Sequence, residues 1–170
     1  MRVAGNEAMT EAEGREKVHA LIKDIRVTMM ASTAPEGFLH ARPMVAQHRE
    51  ADNDLWFFTD RHSEKIPEIR ADPRVALAYA EPSDQNYVSI SGTASVIEDR
   101  AKIKELWSEP MRTWFPKGPD DPDIALIKVN AERAQFWDSP SSTFVYAYGY
   151  VKARLTGERP KPGEEGKVRL

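Results

Sequence analysis

Arg42, Thr59, Ser63 and Lys65 lie close together in the chain and share one chemical capacity. All four donate hydrogen bonds, and two are cations at neutral pH. That set suits a single dianionic phosphate. A guanidinium can grip it through a bidentate contact, an ammonium adds a full charge, and two hydroxyls meet the remaining oxygens. Ser63 also stands where a helix is expected to open, and the first turn of a helix offers free N–H groups and partial positive charge to an anion. The same spacing equally fits Ser63 as a plain N-cap and Lys65 as a solvated lysine.

Aromatic residues are the second group. Trp107, Trp114 and Phe115 surround a Pro-rich loop, and Trp137 closes an expected strand. A flat ligand needs apolar slabs with a few polar anchors, although aromatics at this density also serve as ordinary core. The histidines (His19, His40, His48, His62) show neither helical nor HxH spacing, so no metal site is expected. Asp120, Asp121 and Asp123 are interrupted by Pro122 and read as turn and cap residues rather than a calcium loop. Ser89, Ser91 and Ser95 lack the elbow of a serine hydrolase, and neither GxGxxG nor a Walker A run occurs. The absence of cysteine removes disulfides, thiolate metal sites and cysteine nucleophiles together. No catalytic residue is identifiable.

These residues need elements to position them. Glu11 to Lys23 reads as an amphipathic helix with Val18, Leu21, Ile22 and Ile25 on one side, capped by Thr10 with Glu13 as its reciprocal partner. Val27–Ser32 and Leu39–Gln47 read as strands joined by a turn at Pro35-Glu36-Gly37. Alternation puts His40, Arg42, Met44 and Ala46 on one face, apart from Leu39, Ala41, Pro43 and Val45. Pro43 cannot donate to a ladder, so it marks an edge, a bulge or a place where backbone meets a ligand.

After a turn at Asp52-Asn53-Asp54, Leu55–Thr59 is a strand, and Ser63 is expected to cap a helix from Glu64 to Ala71 that Asp72-Pro73 ends. Val75–Ala80 and Tyr87–Ile97 are further strands, with a bend or bulge at Gly92. Asp99 caps a helix reaching Trp107. Ile124–Asn130 and Arg133–Trp137 read as two short strands. Phe144–Leu155 is a last element, with helix and strand both compatible, and the residues after Gly157 read as a loose tail.

The fold class is therefore mainly β, with six or seven antiparallel strands in one closed or nearly closed β-barrel and helices at its periphery. The expected domain spans residues 10–157, with tails at 1–9 and 158–170. A formal net charge of -3 speaks against nucleic acid, and no apolar run is long enough to span a membrane. The first residues carry no apolar h-region, so a cytoplasmic protein whose natural start is nearer Met9 is expected.

ARPM (41–44), WFFTDRHSEKIPEIRADPRVALAY (56–79) and YVSISGTA (87–94) resemble the pyridoxamine 5′-phosphate oxidase superfamily. LWSEPMRTWFPKGPDDPDIALIKVNAERAQFWD (106–138) is similar to its general stress protein branch. The resemblance implies an FMN-binding split β-barrel that forms a homodimer with FMN at the interface. It implies that the isoalloxazine lies against Arg42, Pro43 and Met44, and that the phosphate lies among Arg42, Thr59, Ser63 and Lys65. Backbone at Phe58 and Thr59 would meet the flavin's polar edge, and Trp114 and Phe115 would reach it from the partner subunit. Trp107 and Tyr87 are further candidates.

One departure limits the analogy. True pyridoxamine phosphate oxidases hold their substrate with a C-terminal tryptophan and basic residues, whereas this chain has no tryptophan after Trp137. Vitamin B6 oxidation is not expected. The resemblance implies an FMN-dependent oxidoreductase acting on an unknown small molecule. The alternative is a non-catalytic flavin-binding stress protein serving as FMN reserve or redox sensor. A split barrel holding heme or a deazaflavin is a third reading, for which heme would require an axial ligand such as His40 or His62.

Overall fold

The computed structural model describes residues 9–47, 54–138, 154 and 164–170. Helix α1 (Glu11–Ile22) opens as expected: the Thr10 hydroxyl accepts from Glu13 N, and the Glu13 side chain accepts from Thr10 N, completing a capping box. Val18 and Ile22 are buried from its inner face, with Ile25 just beyond. Strands β1 (Val27–Thr33) and β2 (Leu39–Gln47) form a hairpin whose turn places Gly37 at φ 87°, a left-handed conformation that glycine adopts without a Cβ penalty. Strand β3 (Asp54–Asp60) and helix α2 (Lys65–Ala71) come next, then β4 (Arg74–Glu81) and β5 (Asn86–Ile97). Asp99 caps α3 (Arg100–Leu106) through Ala101 N and Lys102 N, and a 3-10 helix (Glu109–Thr113) leads into the Pro-rich loop.

The next strand corrects an expectation. Residues read as two short strands form one, β6 (Ile124–Asp138), paired with β5 along nearly its whole length. The register slips between Ser91 and Gly92, so Glu132 becomes the extra residue of a bulge and β6 bends without ending. Gly92 is required there, because a Cβ would sit 2.1 Å from the carbonyl oxygen of Asn130. The turn at Asp52-Asn53 and nearly all of the Phe144–Leu155 segment lie outside the described residues.

The sheet order is β3-β2-β1-β4-β5-β6-β7, and β3 also pairs with β6. That second pairing closes six strands into an antiparallel barrel. The interior is packed by Met30, Leu77, Val88, Ile90, Phe57, Ile127, Val129 and Phe136. A smaller cluster under α3 joins Trp56, Phe58, Ile103, Leu106, Met111 and Phe115.

Residues read as a loose tail include β7 (Glu164–Arg169), which pairs with β6 from Arg133↔Arg169 to Asp138↔Glu164. Composition concealed it, since EEGKVR carries a single apolar residue. That residue, Val168, is buried in the main core and packs against Gly14 of α1. Removing residues 158–170 is expected to lower stability by about 2–4 kcal/mol through the lost burial of Val168 and the uncovered core beneath it. A urea midpoint unchanged by the deletion would contradict this placement.

Candidate cofactor site

The barrel does not close evenly. Strand β2 pairs with β1 from Leu39 to Val45, and β3 pairs with β6 along its length, yet among the described residues β2 and β3 meet only at Ala46↔Phe57 and Gln47↔Trp56. Toward Val45 and Phe58 the strands part. Pro43 accordingly lies opposite Met29 on one side and has no described strand on the other, where a missing N–H costs nothing.

A cleft of about 280 Å³ opens in this gap. Pro43, Met44 and Val45 come from β2, Phe58, Thr59 and Asp60 from β3, Lys65 from α2, and Met111, Trp114 and Phe115 from the 3-10 helix and loop. Seven sequence-predicted site residues therefore line one cavity: Pro43, Met44, Phe58, Thr59, Lys65, Trp114 and Phe115. Sequence reasoning missed Val45, Asp60 and Met111. Val45 was legible as the outward neighbour of Pro43, but Met111 carried no signal before the 3-10 helix placed it.

The walls are apolar. Phe115 is buried and tilts against Phe58 with ring centroids 6.3 Å apart, and Trp107 packs edge-on against Phe58 at 5.9 Å. Trp107 thus supports the wall from behind. Trp114 is 57% exposed at the mouth. The resemblance implied that Trp114 and Phe115 come from a partner subunit, yet both line the cleft of their own chain.

The polar end is built from Thr59, Ser63 and Lys65. Lys65 Nζ donates to Thr59 Oγ1 at 3.2 Å, and the Thr59 and Ser63 hydroxyls are 3.1 Å apart. Ser63 is not the helix cap that its position suggested. It belongs to the preceding turn, its N–H donating to Asp60 O, while Glu64 is the N-cap residue without a side-chain bond. The Ser63 hydroxyl faces Thr59 instead, one bond behind the cleft surface. Burial, followed by the positive charge of Arg42, holds the Lys65 pKa below the usual lysine value. Among the described residues no carboxylate lies within ion-pair distance of its ammonium. A half-buried cation in that setting is suited to an anion supplied from outside.

Arg42 stands beside the cleft rather than on its lining. Its Nη2 donates to Glu68 Oε2 at 2.7 Å and its Nη1 donates to the Ser32 hydroxyl. Ser32 Oγ in turn donates to Glu68 Oε2 at 2.6 Å, and His40 Nδ1 is 3.0 Å from Glu68 Oε1. Glu68 is 3% exposed. Burial alone would raise its pKa, but the hydrogen bonds from Ser32, His40 and Arg42 outweigh it and leave the carboxyl below its usual value. This buried carboxylate was the main site feature that sequence reasoning overlooked. Only its spacing of three residues from Lys65 on one short helix hinted at it.

A closed antiparallel barrel whose strands part over an apolar slot with a cationic end defines a class of small-ligand-binding barrels. The family model described as pyridoxamine 5′-phosphate oxidase like matches residues 13–161, and the chain belongs to that family. The general stress FMN/FAD binding protein of Xanthomonas citri is 32% identical and superposes with a TM-score of 0.68, covering 77% of this chain and 92% of that one. A candidate general stress protein 26 from Jannaschia sp. CCS1 shares the fold at a TM-score of 0.76 and 24% identity, covering 94% of this chain and 99% of the other. Protein bli-3 of Neurospora crassa is 25% identical over 150 residues, which is 83% of this chain and 70% of that protein. The fold is the split barrel of these structures. Among the described residues, no helix is long and apolar enough to cross a membrane.

Proposed function

We propose that this chain is an FMN-binding protein of the general stress type and works as a flavin-dependent oxidoreductase on a small molecule. The observation that carries the reading is the cleft between β2 and β3, an apolar slot ending in a partly desolvated lysine. Pro43, Met44, Phe58, Trp114 and Phe115 provide slabs for a flat ring system. Thr59, Ser63 and Lys65 gather hydroxyls and a cation for a phosphate, with the Arg42 guanidinium close enough to act on the Lys65 charge. The free inner edge of β3 at Phe58 and Thr59 presents backbone to the ring's polar rim. A flavin held there supplies the redox chemistry itself, while the protein contributes position, electrostatics and exclusion of water. The FMN/FAD binding described for the Xanthomonas citri relative supports the same cofactor here.

A homodimer belongs to this proposal. The outer face of β2, β1 and β4 carries Leu39, Ala41, Pro43, Val45, Val27, Met29, Ala76 and Ala78, and its register makes them neighbours. Leu39 is 76% exposed, Val27 50% and Met29 41%. Such a continuous apolar face marks an interaction surface, and Pro43 and Val45 extend it into the cleft. A cleft of 280 Å³ falls just under the roughly 300–1,000 Å³ of enclosed ligand pockets, leaving part of a bound flavin for a second subunit to cover.

The first test is a visible absorption spectrum of the purified protein, repeated after addition of FMN and removal of the excess. A retained flavin spectrum on a sedimenting dimer is expected. A colourless protein that ignores FMN would overturn the cofactor assignment, and a monomer that keeps FMN would overturn the shared interface. Steady turnover with a nicotinamide donor and an acceptor is the expected mark of the oxidoreductase; tight FMN without turnover would instead identify a flavin reserve or sensor.

A further inference from the structure

We propose that Glu68 is a positioning residue for the phosphate end of the cleft, fixing the Arg42 guanidinium at a set place relative to the Lys65 ammonium. The proposal rests on the reading of the cleft as an FMN site. Three groups converge on this one carboxylate: Ser32 at 2.6 Å, Arg42 at 2.7 Å and His40 at 3.0 Å. A carboxylate buried to 3% exposure is costly unless paired, and here every close partner can donate to it. Ser32 also accepts from Arg42 Nη1, so the guanidinium is held at two of its nitrogens.

Helix geometry extends the effect of that carboxylate to the cleft. Lys65 and Glu68 are three residues apart on α2, so they share one face of a rigid element. Lys65 presents its charge to the cleft, and Glu68 anchors Arg42 across to β1 and β2. One short helix thereby sets the distance between the two cations that a phosphate would bridge. A free arginine would lose several rotamers on binding, whereas this one has lost them on folding. Two contacts leave further N–H donors on the same guanidinium, since arginine has five. The negative charge of Glu68 acts the opposite way on an anion, but it is matched at contact distance by Arg42, so the geometric effect is expected to dominate.

The test compares FMN with riboflavin, which lacks the phosphate, on the full-length protein and on Glu68→Gln. Glutamine keeps the shape and one acceptor oxygen but removes the charge and puts an NH2 in place of the other oxygen, which loosens the hold on Arg42. FMN affinity is expected to fall about tenfold or more, the scale of one charge-assisted hydrogen bond, while riboflavin affinity stays within about twofold. Equal weakening of both ligands would show a purely structural role and overturn the proposal, as would unchanged or tighter FMN binding. Failure of the unsubstituted protein to bind FMN would overturn the cofactor reading itself, a distinct result. If Glu68→Gln does not fold, Ser32→Ala serves instead. It removes one of the two contacts to Arg42 and is expected to weaken FMN selectively over riboflavin, and an equal effect on both would again overturn the positioning role.

Discussion

Replacing Lys65 with glutamate is expected to weaken FMN binding by at least about 2 kcal/mol, roughly thirtyfold, through loss of a charge-assisted hydrogen bond and added repulsion. The site explains the size of the effect. Among the described residues Lys65 Nζ is hydrogen-bonded to a hydroxyl, Thr59 Oγ1 at 3.2 Å, and burial and Arg42 outweigh the nearby charges of Asp60, Glu68 and Glu64 in disfavouring its charge, so a phosphate at contact distance would supply the ion pair it lacks. Lys65→Met separates the two contributions, since it removes the cation without adding an anion. It should weaken FMN by a smaller margin while leaving the ligand-free protein at least as stable.

The lowered pKa gives this site a pH signature. The ammonium deprotonates below the ordinary lysine value of 10.5, so FMN affinity should decline on the alkaline side sooner than an unperturbed lysine would cause. In the ligand-free protein the sign reverses. A charged Lys65 disfavours folding, and stability gains as pH rises through its folded pKa. Flavin fluorescence titration across this range measures the first effect. An affinity indifferent to Lys65→Glu would remove the phosphate from this end of the cleft.

Phe136→Ala is expected to destabilise the protein by about 3–5 kcal/mol, the usual range for deleting a fully buried phenylalanine and leaving a cavity. Phe136 is fully buried on β6, opposite Val88 of β5 and Gly166 of β7. Its ring occupies the space that a residue-166 side chain would need, since a Cβ there would stand 2.5 Å from the ring. The Lys17 ammonium of α1 lies 5.9 Å from the ring centroid. One side chain therefore ties the barrel wall to α1 and β7, and neither strand neighbour can move in to fill the loss. Chemical denaturation should report a lower midpoint at similar m-value. A change under about 1 kcal/mol would mean that the cavity collapses freely, contrary to the packing described.

Local signals were readable wherever the cause was local. Thr10 and Glu13 announced a capping box, Asp99 a helix start, Gly92 a bulge, and the two faces of β2 came from alternation. Misreadings arose where tertiary pairing overrode composition. β7 is a strand because β6 offers it an edge and α1 a pocket for Val168, although its own residues are mostly polar. β6 continues through a bulge because β5 supports both halves. Ser63 turns its hydroxyl to Thr59 because the strand end, not the helix, is its nearest partner.

Residue types and spacing pointed to a mainly β barrel and offered Arg42, Thr59, Ser63 and Lys65 as a set suited to phosphate, while the family resemblance singled out Trp114 and Phe115. The tertiary structure decided that β2 and β3 part toward Val45 and Phe58, that the gap brings Trp114 and Phe115 to Lys65, and that Arg42 stands beside the cleft in the grip of Glu68. The division has a physical cause. Caps, turns and alternation are set by neighbours a few residues away, whereas a cleft forms where two well-paired strands fail to pair with each other. A buried carboxylate likewise gains its partners only when distant strands bring their donors to it.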